Sequence, residues 1–276
     1  MAEKVLAVGF FDGVHLGHQA ILTGADAALT FSRHPRAVLS PDRAPRLIMT
    51  LDDRLSAIRA CGVSEVRVLD FTPELASTPA ENFLLNFTGW RVRCGANWRF
   101  GAKGAGDADL LRRHGIAVEV VGYADFEGAP VSSSRIREAL ERGDVVGANA
   151  MLGRRFAVRG VFSRGKGEGA RLGFPTLNFR LDGLELRLPN GVYEVAVGGC
   201  RGLANYGTAP TFGARAWFAP VLEVHLLATL PASLAALQEG DCRPVEFVRF
   251  LRPERAFATL ADLKAQIARD IAFVQG

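Results

Sequence analysis

Cysteine is scarce. The chain has four in 276 residues, at 61, 94, 200 and 242, and no two of them stand at CxxC spacing. That offers neither a zinc ribbon nor a thioredoxin-like dithiol, and in a chain this long it implies a reduced, cytoplasmic protein rather than a disulfide framework. No apolar run approaches the ~18 residues that span a bilayer, and the apolar part of MAEKVLAVGFF is too short for a secretory leader, so no membrane is expected. Internal repeats and low-complexity stretches are absent. A strong charge imbalance is also missing: 33 Lys and Arg against 29 Asp and Glu leave a net +4. This excess suits anionic small molecules such as nucleotides and is too weak to imply DNA or RNA. The chain is expected to be a monomer or to self-associate weakly.

What is present is an ordinary globular composition, 49% hydrophobic and 22% charged. At roughly 100–200 residues per domain, two domains are expected. The first half alternates apolar strands (Val5–Gly9, Ala27–Phe31, Glu65–Phe71, Val92–Cys94, Ala117–Gly122) with helical segments (Leu51–Cys61, Ala80–Phe87, Asp107–His114, Ser134–Arg142, Val145–Leu152). That alternation predicts an α/β domain with a parallel sheet. After about Gly153 short strands punctuated by Gly and Pro take over (Phe156–Phe162, Thr176–Phe179, Gly191–Val197, Val221–Leu227, Val245–Leu251), which predicts an antiparallel barrel or sandwich. The chain ends on an amphipathic helix, Leu260–Phe273. The expected division is therefore 1–152 and 153–276.

Three segments carry chemistry. GFFDGVHLGH, Gly9 to His18, follows the first strand and opens a helix. Unpaired N–H groups and the positive dipole end suit a phosphate there, and Gly13 and Gly17 allow close approach. His15 and His18, three apart, fall at one helix end. Alone, HxGH divides evenly between a structural histidine pair and a phosphate site. VSSSRIREAL, Val131 to Leu140, places Ser132, Ser133 and Ser134 before a helix with Arg135 and Arg137 in its first turn. The serines read as caps, but cations are disfavoured at that end unless a polyphosphate is bound. In the second half, SRGKGEGARLGFPTLNF places Lys166 and Arg171 in a glycine-rich loop, which by itself reads as a flexible turn. Thr176 and Asn178 follow it, two apart and so on one face of a strand, with hard oxygen donors suited to Mg²⁺ beside ATP phosphates.

HxGH early and the serine–arginine helix late resemble the nucleotidylyltransferase superfamily. With SRHPRAVL (32–39), GANWRFG (95–101), AGDADLL (105–111), GFPTLN (173–178), GLANYGTAPTF (202–212) and VLEVHLL (221–227), the whole chain resembles the bacterial bifunctional riboflavin kinase/FAD synthetase family. The resemblance implies a Rossmann-like nucleotidylyltransferase domain followed by a small barrel. It implies phosphorylation of riboflavin to FMN by ATP, then adenylylation of FMN to FAD, with Mg²⁺. It assigns adenylyl transfer to His15, His18 and Arg137. Nucleotide or flavin contacts fall to Gly9, Phe10, Asp12, Gly17, His34, Asn97, Ser132, Ser133, Ser134 and Arg135 in the first half, and to Lys166, Arg171 and Asn205 in the second. Thr176 and Asn178 become metal ligands and Glu223 the base that accepts the riboflavin 5′-hydroxyl proton. The sequence departs from the family at Ser32 and Arg33, where Asp-Pro is common, at Trp98, where phenylalanine is usual, at Ala170, where arginine is frequent, and in a short connection, 19–29. Two rivals are a riboflavin kinase with a weakened adenylyltransferase and a flavin-sensing regulator.

Overall fold

The computed structural model describes residues 3–165, 167–181, 186–208 and 220–275. Two compact units emerge, Met1–Arg135 with Met151–Gly153, and Ile136–Ala150 with Arg154–Gly276.

The first unit is built on five parallel strands, β1 (Val5–Val8), β2 (Ala27–Phe31), β3 (Glu65–Leu69), β4 (Arg91–Gly95) and β5 (Val118–Val121), in the order β3-β2-β1-β4-β5. Both faces are covered. Leu6, Val8 and Leu29 enter one core with Phe83, Phe87 and Leu111, while the intervening Ala7 and Ala28 enter the other with Leu22 and Ile58. That is why β1 and β2 read as continuous apolar runs rather than alternating ones. The first connection is short. α1 (Leu16–Leu22) has seven residues and buries Ile21 and Leu22. Gln19 anchors it, its Nε2 donating to the carbonyls of Val14 (2.9 Å) and Leu152 (2.8 Å).

The sheet order changes direction at β1: the chain runs out to β2 and β3, then returns to β4 on the other side. In open parallel sheets ligands bind outside the carboxyl ends of strands at such a reversal. Gly9, Ser32 and Ala96 are the residues that leave β1, β2 and β4 at that end. The remaining helices of this unit are α2 (Pro35–Leu39), α3 (Leu51–Ala60), α4 (Pro73–Ala76), α5 (Ala80–Phe83) and α6 (Ala108–Arg113). The expected helix over 80–87 is α5 followed by a 3-10 turn, Leu84–Phe87. α7 (Ser133–Glu141) and α8 (Val145–Leu152) follow a two-residue hairpin, β6 (Asp125–Phe126) with β7 (Ala129–Pro130).

The second unit is a closed six-stranded antiparallel barrel, order β10-β11-β12-β9-β8-β13, closed by β13 on β10. Its strands are β8 (Phe156–Ser163), β9 (Leu177–Leu181), β10 (Gly191–Val197), β11 (Cys200–Thr208), β12 (Pro220–Leu226) and β13 (Cys242–Pro253). Two one-turn helices, α9 (Glu168–Leu172) and α10 (Ala232–Ala235), and the terminal α11 (Leu260–Gln275) complete it. Phe156, Phe179, Tyr193, Tyr206 and Phe247 are buried aromatics of this unit. Glu194 is 2% exposed and accepts from Arg201 Nε (2.9 Å) and Arg249 Nε (2.7 Å), while Arg201 Nη2 also donates to the carbonyl of Val274 near the end of α11. Two charge-assisted partners are what a buried carboxylate requires. Asn149 joins α8 to two strands: its Nδ2 donates to the carbonyl of Phe247 (2.9 Å) in β13 and its Oδ1 accepts from the N–H of Phe156 (2.6 Å), the first residue of β8.

Candidate active sites

In the first unit the turn after β1 is a strained and buried loop. Phe11 (φ 60°) and Val14 (φ 40°) adopt left-handed backbone that only surrounding structure can impose on such side chains, and Gly13 (φ 82°) joins them. Several contacts impose it. The Asp12 carboxylate, 2% exposed, accepts the Ile48 N–H at both oxygens (3.1 and 3.2 Å). The Asp12 carbonyl accepts from Ser133 Oγ (2.9 Å), and the Phe10 carbonyl from Thr30 Oγ1 (3.0 Å). A Cβ on Gly9 would stand 2.8 Å from the Phe11 ring, so glycine is required there.

His15 caps α1: its Nδ1 accepts the His18 N–H at 3.4 Å, which puts the proton of the neutral ring on Nε2. The two imidazoles are stacked, 3.6 Å between centroids, and His18 meets Phe11 edge-on. A Cβ on Gly17 would press to 3.2 Å from the His15 ring. His34 caps α2 with Nδ1 on the Arg36 N–H (3.1 Å) and meets the Phe10 ring edge-on at 4.7 Å. A cavity of about 160 Å³ opens beside this corner, lined by Gly9, Leu29, Phe31, Pro35, Trp98 and Phe100 among others. Trp98 stacks on Phe100 (4.8 Å, 25°) and meets Phe87 edge-on, so it is part of the core as well as of the cavity wall. Asn97 is exposed in the turn after β4. Cys94, buried in β4, has its thiol pushed up to about 11 by desolvation, which keeps it protonated and inert.

The serine–arginine segment divides its labour. Ser132 Oγ accepts the Arg135 N–H (3.3 Å), Ser133 reaches Asp12 as above, and Ser134 is exposed. Arg135 does not wait for a phosphate: its guanidinium donates to the carbonyls of Phe126, Ala129 and Pro130 and so ties the β6–β7 hairpin to α7. Arg137 lies half-buried on α7. The departures Ser32 and Arg33 both engage Asp70, through Ser32 Oγ (2.6 Å) and Arg33 Nε (3.2 Å), at the end of β3.

In the barrel, register brings the expected residues together. Glu223 on β12 lies opposite Asn178 on β9 and opposite Asn205 on β11. Directly paired residues share a face, so Asn178, Glu223 and Asn205 form one row across three strands. Leu222 and Val224, on either side of Glu223, are fully buried. Thr176 stands just before β9, two residues from Asn178. The glycine-rich segment is not irregular throughout: α9 occupies it, between Gly167 (φ 74°) and Gly173 (φ 91°), with Arg171 exposed on α9. Lys166 lies outside the described residues. Two glycines of the segment pack against the Thr/Asn pair: a Cβ on Gly165 would stand 2.1 Å from Asn178 Nδ2 and one on Gly169 would stand 3.0 Å from Thr176 Oγ1.

A cavity of about 670 Å³ runs past this row; Thr176, Asn205, Glu223 and His225 line one part of it, and Phe257, Leu263, Ile267 and Asp270 another. That volume lies within the range of small-molecule sites. Asp270 is held by a two-pronged bond from Arg252 (Nε 3.0 Å, Nη2 2.8 Å) and by Gln266. Asn205 Nδ2 donates to Glu254 (2.9 Å) and His225 Nδ1 lies 3.0 Å from the Pro175 carbonyl. The sequence reads α11 as an amphipathic helix; its share in a cavity, with Arg252 and Asp270, is seen only in the structure. Among the described residues no cluster of three metal-binding side chains occurs and no helix is long and apolar enough to cross a membrane.

Comparisons with known proteins agree on both halves. A family model described as FAD synthetase matches residues 1–135, and one described as riboflavin kinase matches 152–276. A protein described as bifunctional riboflavin kinase/FMN adenylyltransferase from Bacillus subtilis (strain 168) is 32% identical over 293 residues, covering 98% of this chain and 90% of its own. One so described from Escherichia coli (strain K12) is 33% identical over 290 residues, covering 96% of this chain and 90% of its own. A crystal structure described as a macrolide-efflux protein from Streptococcus pneumoniae superposes with a TM-score of 0.84 at 25% identity, over 98% of this chain and 92% of that one. The last likeness speaks to the fold.

Proposed function

This chain belongs to the bifunctional riboflavin kinase/FMN adenylyltransferase family, and from that premise we propose how its residues divide two reactions. The barrel half transfers the γ-phosphoryl group of ATP to riboflavin, giving FMN and ADP. The sheet half joins FMN to the α-phosphorus of a second ATP, giving FAD and pyrophosphate. The observation that carries the reading is the in-register row Asn178–Glu223–Asn205 beside a cavity of about 670 Å³.

The riboflavin 5′-hydroxyl is neutral and a poor nucleophile, so the kinase needs a positioned carboxylate. Glu223 takes that proton as the oxygen attacks the γ-phosphorus. Asn205, its neighbour in the row, orients a polar group of the substrate. Arg171 and Lys166 bind ATP phosphates, and the close packing of Gly165 and Gly169 lets the loop lie directly on Thr176 and Asn178. The donor set, a hydroxyl and an amide, fits Mg²⁺, which takes few protein ligands and completes its shell with phosphates and water. Mg²⁺, held by Thr176 and Asn178, would neutralise charge on the phosphates.

Adenylyl transfer needs no base, because the FMN phosphate is already an anion. Its requirement is positive charge and N–H donors where pyrophosphate leaves. Arg137 supplies that charge, and His15 and His18 supply side-chain N–H donors. Gly9, Asp12, Gly17, Ser132, Ser133 and Ser134 shape the phosphate cradle, Arg135 holds the hairpin that precedes it, and Phe10, His34 and Asn97 contact flavin or nucleotide beside the small apolar cavity. Incubation of the protein with riboflavin, ATP and Mg²⁺, followed by chromatography of the flavins, tests the reading. FAD is the expected end product. Accumulation of FMN alone would favour a kinase whose first half is silent, as the Asp70-bound Ser32 and Arg33 allow, and no product at all would leave a flavin-sensing regulator.

As a working unit the kinase begins ahead of residue 153. Ile136, Ala139, Leu140, Val145 and Ala148 are buried, all belong to the second compact unit, and Asn149 bonds two of its strands. Fragments 136–276 and 153–276 are both expected to phosphorylate riboflavin, the shorter one melting on the order of 10 °C lower, at about 1 kcal/mol per lost hydrogen bond plus the apolar area uncovered. Equal melting temperatures would return the boundary to 152/153.

A further inference from the structure

Arg54 is a cation in the wrong place for a folding argument. It lies on α3, four residues after the capping Thr50, in the stretch LDDRLSAIRA, where an arginine reads as solvent-facing. Instead it is 1% exposed. Its Nη2 donates to the carbonyls of Phe31 (2.5 Å) and Ser32 (3.3 Å), while Nε and Nη1 have no hydrogen-bond partner among the described residues. The guanidinium carbon lies 4.0 Å from the centroid of the Phe10 ring. Desolvation pulls its pKa down to about 10, with nearby Asp12 opposing the shift, so it remains charged at neutral pH.

Such a group costs stability. A buried charge with two unsatisfied donors is worse for the core than an apolar side chain of the same length. Its contacts show what it secures instead. The Phe10 ring it covers meets His34 edge-on, and the Phe31 and Ser32 carbonyls it holds are those of the chain leading from β2 to His34. Asp12, which opposes its pKa shift, is fixed to Ile48 and, through its carbonyl, to Ser133. One side chain therefore touches both the turn that leads to the histidine pair and the strand end that leads to His34.

We infer that Arg54 is a positioning residue for adenylyl transfer, locking the Phe10 ring and the carboxyl end of β2 into one arrangement. The inference rests on the reading of this half as the FMN adenylylation site. Removing the lock lets Phe10 and His34 shift, and displacements of an ångström at a reacting site cost up to about 10²-fold.

The test is Arg54→Met and Arg54→Lys in the full-length chain. Arg54→Met is expected to lower kcat/KM for FMN in FAD formation by about 10–100-fold, mainly through KM for FMN. Riboflavin phosphorylation by the same molecules is expected to stay within twofold, and the melting temperature of the first unit to hold or rise. Arg54→Lys keeps a charge and one donating nitrogen but neither the planar fork nor the ring cover, so an intermediate loss is expected. FAD formation within twofold of wild type in Arg54→Met overturns the inference, as does a loss that follows a lowered melting temperature and vanishes on cooling. Should Arg54→Met unfold the first unit, Arg54→Lys decides: full activity there overturns the proposal. If the wild type itself makes no FAD, the functional reading fails separately. The dissociation constant for FMN, read by flavin fluorescence, then carries the test, and an unchanged value in Arg54→Met overturns it.

Discussion

Replacing Glu223 by glutamine is expected to lower riboflavin phosphorylation by on the order of 10²–10⁴-fold, the range for loss of a general base. Glutamine keeps the shape and the neighbours of the side chain. Glu223 is exposed between the buried Leu222 and Val224, and the strand pairings to Asn178 and Asn205 are made by backbone, so the barrel should melt as before. FAD formation from supplied FMN should not change, because that reaction draws on the other half. Assays of both reactions on one preparation check this, and equal damage to both would show Glu223 to be structural.

The second large effect is expected in the other half. His18→Ala should lower FAD formation from FMN by about 10²–10³-fold, the scale on which a single charge-stabilising donor acts, and leave FMN formation from riboflavin intact. His18 is the cleaner choice of the stacked pair. His15 also caps α1 with its Nδ1, so His15→Ala would add a capping loss of about 1 kcal/mol to any chemical effect. Arg137→Ala should act in the same direction as His18→Ala. Adenylylation at the wild-type rate in both variants would remove the phosphate role from this motif.

Much of the architecture could be read from the residues. β2 and β10 and the helix Val145–Leu152 fall at their expected bounds, because apolar periodicity and Gly or Pro punctuation coincide there. β11 could not be read: CRGLANYGT contains two glycines and an asparagine, poor strand formers, and becomes a strand because β10 and β12 pair with it on either side. A Cβ on Gly202 would stand 2.8 Å from the His225 carbonyl, so what weakens local propensity is needed by the neighbour.

The sites show the same limit. Motifs named Thr176, Asn178, Asn205 and Glu223, but the alignment of the last three in one row depends on register, which no local pattern carries. The motif suits Arg135 to a phosphate, and its hold on three carbonyls of the preceding hairpin is seen only in the structure. Arg54 was invisible because its burial depends on Phe10, more than forty positions away.

Barrel closure has a consequence for how this half can change over generations. An insertion of one residue within β12, ahead of Glu223, would reverse the faces of the strand: the carboxylate would turn into the apolar interior and a leucine or valine would take its place beside Asn178 and Asn205. No compensating slip is available, because every strand is bonded to two others and the ring has no free edge to absorb it. Drift in length is thereby channelled into the connections between strands. Descendants of this sequence can recut those connections widely and still inherit the reacting row unchanged.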